Sequence, residues 1–145
     1  MRNAALIDAG PIVALFNSSD RWHPTCVDGL KGYSGQLVTT WPVIAEVTHL
    51  LSFAIGAQTA VLEWVERGGL RVENLQLEDI AYIKARMKKY SDLPMDLADA
   101  SLMCVAERLE INSIMTIDDD FSIYRTLKGK PLAALVPSEL RLKGA

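Results

Sequence analysis

Apolar positions along this chain fall into two patterns. Short blocks rich in apolar and β-branched residues occur at Ala4–Ile7, Gln36–Thr40, Leu70–Glu73 and 114–117, each the length of a buried strand. Residues 133–136 suggest a last strand. Between these blocks, apolar residues recur at helical spacing. Helices are predicted over 12–16 and 23–30, and again from Pro42, where Val43, Val47, Leu50, Leu51 and Ala54 repeat. Proline is tolerated in a first helical turn because its missing N–H has no partner there. A helix over 58–67 is stopped by Gly68-Gly69. Residues 77–90 form an amphipathic pattern, with Ile80, Ile83, Ala85 and Met87 inward and Lys84, Lys88 and Lys89 outward. Pro94 is expected to open a further helix to about Leu109. The resulting order, β-α-α-β-α-α-β-α-α-β-(α)-β, predicts an α/β fold with a mostly parallel sheet wrapped by helices. No repeat, linker or low-complexity tract interrupts it, so residues 1–145 read as a single domain.

Composition narrows this picture. Half of the residues are hydrophobic and 23% are charged, so the chain can bury a core. The net charge of -3 runs against a protein that grips nucleic acid through bulk charge alone. Cys26 and Cys104 are far apart and in no CxxC pattern, which favours two reduced thiols in a cytoplasmic setting. The apolar run at the start is too short for a secretory leader. The stretch 41–57 carries Glu46 and His49, so no membrane association is expected. His23 and His49 cannot complete a zinc site with these cysteines. A metal here would be held by carboxylates, and hence would be a hard ion such as Mg²⁺ or Mn²⁺.

The carboxylates have suggestive positions. Asp8 follows the first strand block and Asp118 follows the block at 114–117. If those strands are parallel neighbours, both side chains stand at the same sheet edge, where α/β folds bind ligands. Glu46 lies one turn into the helix after the second strand, on an otherwise apolar stretch, and Asp96 and Asp99 are three apart at a helix start. Two unit charges ~4 Å apart repel by roughly 4 kcal/mol at an effective dielectric near 20, so such a cluster needs protonation or a cation. Divalent-ion chemistry on a phosphodiester suits this set, since it requires no protein nucleophile. Taken singly, Asp8 could open a turn, Asp96 and Asp99 could complement a helix dipole, and Asp118-Asp119-Asp120 could be a polar turn.

Four short motifs occur in order: Leu6-Ile7-Asp8-Ala9-Gly10-Pro11 with Asp20 and His23 behind it; Pro42-Val43-Ile44-Ala45-Glu46-Val47; Asp92-Leu93-Pro94-Met95-Asp96-Leu97-Ala98-Asp99-Ala100-Ser101; and Thr116-Ile117-Asp118-Asp119-Asp120-Phe121. In this the chain resembles the PIN domain family, most of all its VapC-type toxin ribonuclease branch. The resemblance implies a three-layer α/β/α fold with a central parallel five-stranded sheet. It implies a Mg²⁺- or Mn²⁺-dependent endoribonuclease whose pocket matches Asp8, Glu46, Asp99 and Asp118 as catalytic and metal-holding residues, with Asp96 and Thr116 supporting. It also implies an RNA substrate, an antitoxin protein partner and a homodimer. Where the family often continues with basic residues after the last acidic position, this chain continues Asp119-Asp120.

Basic residues cluster at Lys84, Arg86, Lys88 and Lys89, read as a solvated helix face, and at Arg125, Lys128 and Lys130. Arg125 and Lys128, close behind Asp118, are the expected RNA contacts. Trp22, Trp41 and Trp64 could stack bases, but Trp41 and Trp64 are expected in core or interface. His23 is expected to pack or cap, and His49 to border the pocket without a catalytic role. Ile12, Phe16, Val47, Leu51 and Phe53 are expected in the core, the alternative being a groove for an antitoxin helix. Two competing functions remain. One is an Asp8-dependent phosphoacceptor or phosphotransferase, although Gly10 stands where the haloacid-dehalogenase-like pattern wants a second aspartate. The other is a degenerate PIN-type fold used only for binding. Should two divalent ions bind, the formal charge would rise by four, and the acidity would mark the site itself.

Overall fold

The computed structural model describes residues 1–135. Five strands form the centre: β1 (Ala4–Ile7), β2 (Gln36–Thr40), β3 (Leu70–Glu73), β4 (Ser113–Met115) and β5 (Ala133–Ala134). Six helices alternate with them: α1 (Ala9–Phe16), α2 (His23–Lys31), α3 (Trp41–Leu50), α4 (Ile55–Glu66), α5 (Asp79–Lys89) and α6 (Leu97–Leu109). A 3₁₀ turn, Asp119–Ser122, follows β4. This is a three-layer α/β/α fold, and its element order is the one predicted. No helix among the described residues is long and apolar enough to cross a membrane.

The sheet is parallel throughout, in the order β3-β2-β1-β4-β5. The chain builds outward from β1 to β3, then returns to start again on the other side of β1. That reversal between β1 and β4 is the position where a crevice opens at the carboxyl ends of the strands. All four residues of β1 are buried, which explains its unbroken apolar run, since a central parallel strand is covered on both faces. Around it pack Leu37, Val38, Val43, Val47, Leu51, Val61, Leu102, Val105 and Ile114.

Several boundaries differ from expectation, each for a local reason. Helix α1 starts at Ala9 rather than Ile12, because Asp8 caps it and Gly10-Pro11 fit its first turn. The helix predicted through Ala54 ends at Leu50. Leu51 stays buried, but Leu50 is exposed and Ala54 instead precedes α4, which starts three residues earlier than predicted. Helix α5 starts at Asp79, and Ile80 and Ala85 face solvent. Its inner face carries Tyr82, Ile83, Arg86, Met87 and Tyr90, so Arg86 is not part of a solvated face. Its guanidinium donates to the Arg125 carbonyl (3.3 Å) and lies over the Tyr82 ring. Pro94 sits in a turn closed by Met95 N–H donating to Tyr90 O (3.1 Å), and α6 starts at Leu97. Strand β4 ends at Met115, because the Asp118 N–H donates to the Thr116 side chain and the chain leaves the ladder. The last strand is shorter than predicted, and Val136 lies outside the described residues.

Ile12, Val47 and Leu51 are core residues as expected, Phe16 is half-buried, and Phe53 is exposed. Trp41 is not core: it is exposed, with its indole N–H donating to Asn74. Trp64 is half-buried against Phe16, and His23 meets the Ala14 carbonyl through Nδ1 (2.6 Å).

This packing predicts the outcome of two substitutions. Leu6→Ala, at a fully buried position of β1, lowers stability by about 2–5 kcal/mol in urea denaturation. Phe53→Ser, at a position 67% exposed, changes it by no more than about 0.5 kcal/mol.

Candidate active site

Asp8, Glu46, Asp96, Asp99, Asp118 and Asp120 all line one cleft of ≈ 380 Å³. Its remaining walls are Ala9, Gly10, Leu50, Leu93, Pro94 and Ile117. The cleft lies at the carboxyl ends of β1 and β4, because Asp8 directly follows β1, Asp118 follows β4, and the two strands pair through Leu6–Ile114 and Ile7–Met115. The walls approach closely at Gly10, where a Cβ would lie 2.9 Å from the Ile117 side chain.

Each carboxylate is placed by a definite local device. Asp8 is the N-cap of α1, its Oδ1 accepting from Ala9 N–H (2.8 Å), while the Asp8 N–H still donates to Met115 O (3.1 Å). Asp96 is the N-cap of α6 and accepts from Asp99 N–H (2.8 Å), so Asp96 and Asp99 are joined as cap and capped residue rather than as two members of one helical face. Asp118 caps the 3₁₀ turn by accepting from Asp120 N–H (2.9 Å). Thr116 joins two acidic positions. Its buried hydroxyl donates to Asp8 Oδ2 (3.3 Å) and accepts from Asp118 N–H (3.0 Å). A second polar pair ties the neighbouring elements. Ser101 donates its hydroxyl proton to Ala98 O (2.7 Å), so Thr40 must be the donor to Ser101 (2.6 Å), and the start of α6 is fixed to the end of β2.

Electrostatics follow from this crowding. Burial first, then the charges of Asp118 and Glu46, push the Asp8 carboxyl up to about 6, against hydrogen bonds from Ala9 and Thr116 that favour the anion. Burial, then Asp8 and Asp96, push Asp99 up to about 7. Glu46 is exposed overall, yet its carboxyl is raised by partial loss of water and by Asp96. Asp120 is raised by burial and by Asp118. Among the described residues, no Lys or Arg side chain forms an ion pair with any of the six.

Donor chemistry in the cleft suits a hard divalent ion, since every ligating side chain there is an anionic oxygen donor. The carboxylates are nonetheless spread around the walls. Among the described residues, no group of three or more His, Cys, Asp or Glu side chains is gathered so as to hold a metal ion.

No family model matches the chain. It is 27% identical over 127 residues to ribonuclease VapC26 of Mycobacterium tuberculosis (strain ATCC 25618 / H37Rv), a match covering 86% of this chain and 94% of that protein. Over most of its length the chain is thus similar to a VapC-type ribonuclease. Two solved structures share the fold. One is M. tuberculosis VapC20, described as a sarcin–ricin-loop-cleaving toxin, with a TM-score of 0.73, 21% identity, and 88% of this chain and 99% of that chain covered. The other is a toxin–antitoxin complex from Klebsiella pneumoniae, with a TM-score of 0.62, 16% identity, and 79% and 87% covered.

In this PIN-like fold, the two basic residues singled out from sequence stand away from the cleft walls. The Arg125 guanidinium donates through Nη1 to the carbonyls of Ser122, Ile123 and Tyr124. Lys128 lines a separate cleft with Glu107, Glu110 and Asn112. His49 is exposed on α3 and is not part of the acidic cleft wall. Two residues of the site were missed. Asp120 was submerged in a run of three aspartates. Tyr124, fully buried, donates its hydroxyl to Asp99 Oδ2 (3.0 Å) and could not be found by spacing, because it reaches the site from a loop.

The raised carboxyls set a pH dependence of stability without metal. Asp8 and Asp99 bind protons more tightly folded than at the ordinary 3.8, so their stabilising contribution is full below about pH 4 and is lost as pH rises through 6 to 7. Asp99→Asn keeps an acceptor for Tyr124 but cannot ionise. Its melting temperature in EDTA should therefore fall less than wild type between about pH 4 and pH 8. Parallel profiles would contradict the stated cause.

Proposed function

We propose that this chain is a Mg²⁺- or Mn²⁺-dependent endoribonuclease acting as the toxin of a toxin–antitoxin pair. The observation that carries this reading is the lining of one switch-point cleft by six carboxylates with, among the described residues, no cationic side chain paired to them. The naming of VapC26 as a ribonuclease and of the Klebsiella structure as a toxin–antitoxin complex supports the same reading.

Asp8, Glu46, Asp99 and Asp118 would hold the ion, and Asp96 supports them from the cleft edge. When bound, a divalent ion supplies a water acidified toward hydroxide and positive charge for the scissile phosphate. Asp8 and Asp99 bring the most desolvated charges. Thr116 orients Asp8 through Oδ2 and fixes the chain at Asp118 through its N–H. The apolar walls at Leu50, Leu93, Pro94 and Ile117 limit water around the site. Arg125 and Lys128 would meet RNA outside the cleft, along the segment beyond Asp118. An antitoxin and a second copy of the chain are the proposed protein partners.

Purified protein should cleave labelled single-stranded RNA with Mn²⁺ or Mg²⁺ and not with EDTA. Asp8→Asn and Asp99→Asn should each lower the rate by at least about 100-fold. Cleavage that persists in EDTA, or in both variants, would contradict the proposal.

A further inference from the structure

Tyr124 is the largest fully buried side chain among the described residues, and its hydroxyl is spent on the acidic site. A buried tyrosine must find a partner for its O–H. A backbone carbonyl would serve that need as well as a carboxylate. Here the partner is Asp99 Oδ2, at 3.0 Å, on the first turn of α6. The ring that carries the hydroxyl is held on two sides. It meets Phe121 edge-on, with centroids 5.1 Å apart at 82°, and Tyr90 with centroids 5.0 Å apart at 61°. Phe121 belongs to the 3₁₀ turn that Asp118 caps, and Tyr90 follows α5 and accepts from Arg125 N–H (2.9 Å).

A line of contacts therefore runs from the Asp118 turn through Phe121 and Tyr124 to the carboxylate of Asp99. We infer that Tyr124 is a positioning residue of the acidic site, fixing the rotation of the Asp99 carboxylate relative to Asp118 by holding Oδ2 and leaving Oδ1 to a cation. The inference rests on the metal-dependent reading above. Tyr124 acts only through Asp99, and is not among the residues lining the cleft.

The proposal separates two functions of the loop after β4, anchoring itself and aiming Asp99. Tyr124→Phe keeps the ring between Phe121 and Tyr90 and removes the donor. Tyr90→Phe removes the hydroxyl that accepts from Arg125 N–H and leaves the Tyr124–Asp99 bond in place. Mn²⁺ affinity by calorimetry, single-turnover RNA cleavage and metal-free melting temperature are measured for wild type and both variants. Tyr124→Phe is expected to weaken Mn²⁺ binding by about 10-fold or more and to slow single-turnover cleavage, with RNA affinity little changed. Tyr90→Phe is expected to lower the melting temperature while Mn²⁺ affinity stays within about 2-fold of wild type. Wild-type Mn²⁺ affinity in Tyr124→Phe, or equal losses in the two variants, overturns the positioning role and leaves the nuclease reading standing. A wild-type protein that binds no Mn²⁺ and cuts no RNA overturns both.

Discussion

The carboxylate of Asp8 is buried to 8% exposure at the end of the central strand, near other carboxylates and, among the described residues, paired with no cationic side chain. Charge in that position is costly, because burial removes water and the neighbours repel it. Hydrogen bonds from Ala9 N–H and the Thr116 hydroxyl offset only part of the cost, which is why the carboxyl titrates near 6. A fold selected for stability alone would place an apolar or neutral residue there. On the metal-dependent reading proposed above, a bound cation would offset that cost.

The rest of the fold keeps that arrangement from relaxing. The reversal of strand order between β1 and β4 creates the crevice, and parallel pairing brings Asp8 and the Asp118 segment to one edge. Thr39, just before α3, donates to Ile7 O (2.9 Å) and locks β2 to β1 beside Asp8. The Thr40–Ser101–Ala98 chain then fixes the start of α6, where Asp99 stands. Asp8, Asp96 and Asp118 each cap an element, so each acid is held by the structure it starts. Capping and ligand duty are compatible, since each carboxylate oxygen that accepts a hydrogen bond keeps a further lone pair.

Much of this was legible in the sequence. Element order followed from apolar blocks alternating with helical periodicity, and the strand-end positions of Asp8 and Asp118 followed from parallel connections. Helix-start positions put Glu46, Asp96 and Asp99 near the same edge, and resemblance to the PIN family implied that Glu46 and Asp99 act with Asp8 and Asp118. The boundaries that failed did so where a side chain overrode periodicity. Asp96 and Asp8 started helices by capping, and Thr116 drew the chain out of β4 before Ile117. Arg86 looked like one of several exposed basic residues, because composition cannot show a guanidinium folded over Tyr82. Tyr124 was invisible for a related reason. Its role depends on a loop whose path is set by aromatic packing rather than by sequence period.

The most direct test of the account is crystallographic. Crystals of the wild-type protein grown with Mn²⁺ would be measured at the manganese absorption edge. The account predicts an anomalous peak in the acidic cleft, within ligand distance of Asp8 and Asp99, and its absence in Asp99→Asn crystals. A cleft without such a peak at saturating Mn²⁺, or a peak confined to another acidic pair such as Glu107 and Glu110, would contradict it.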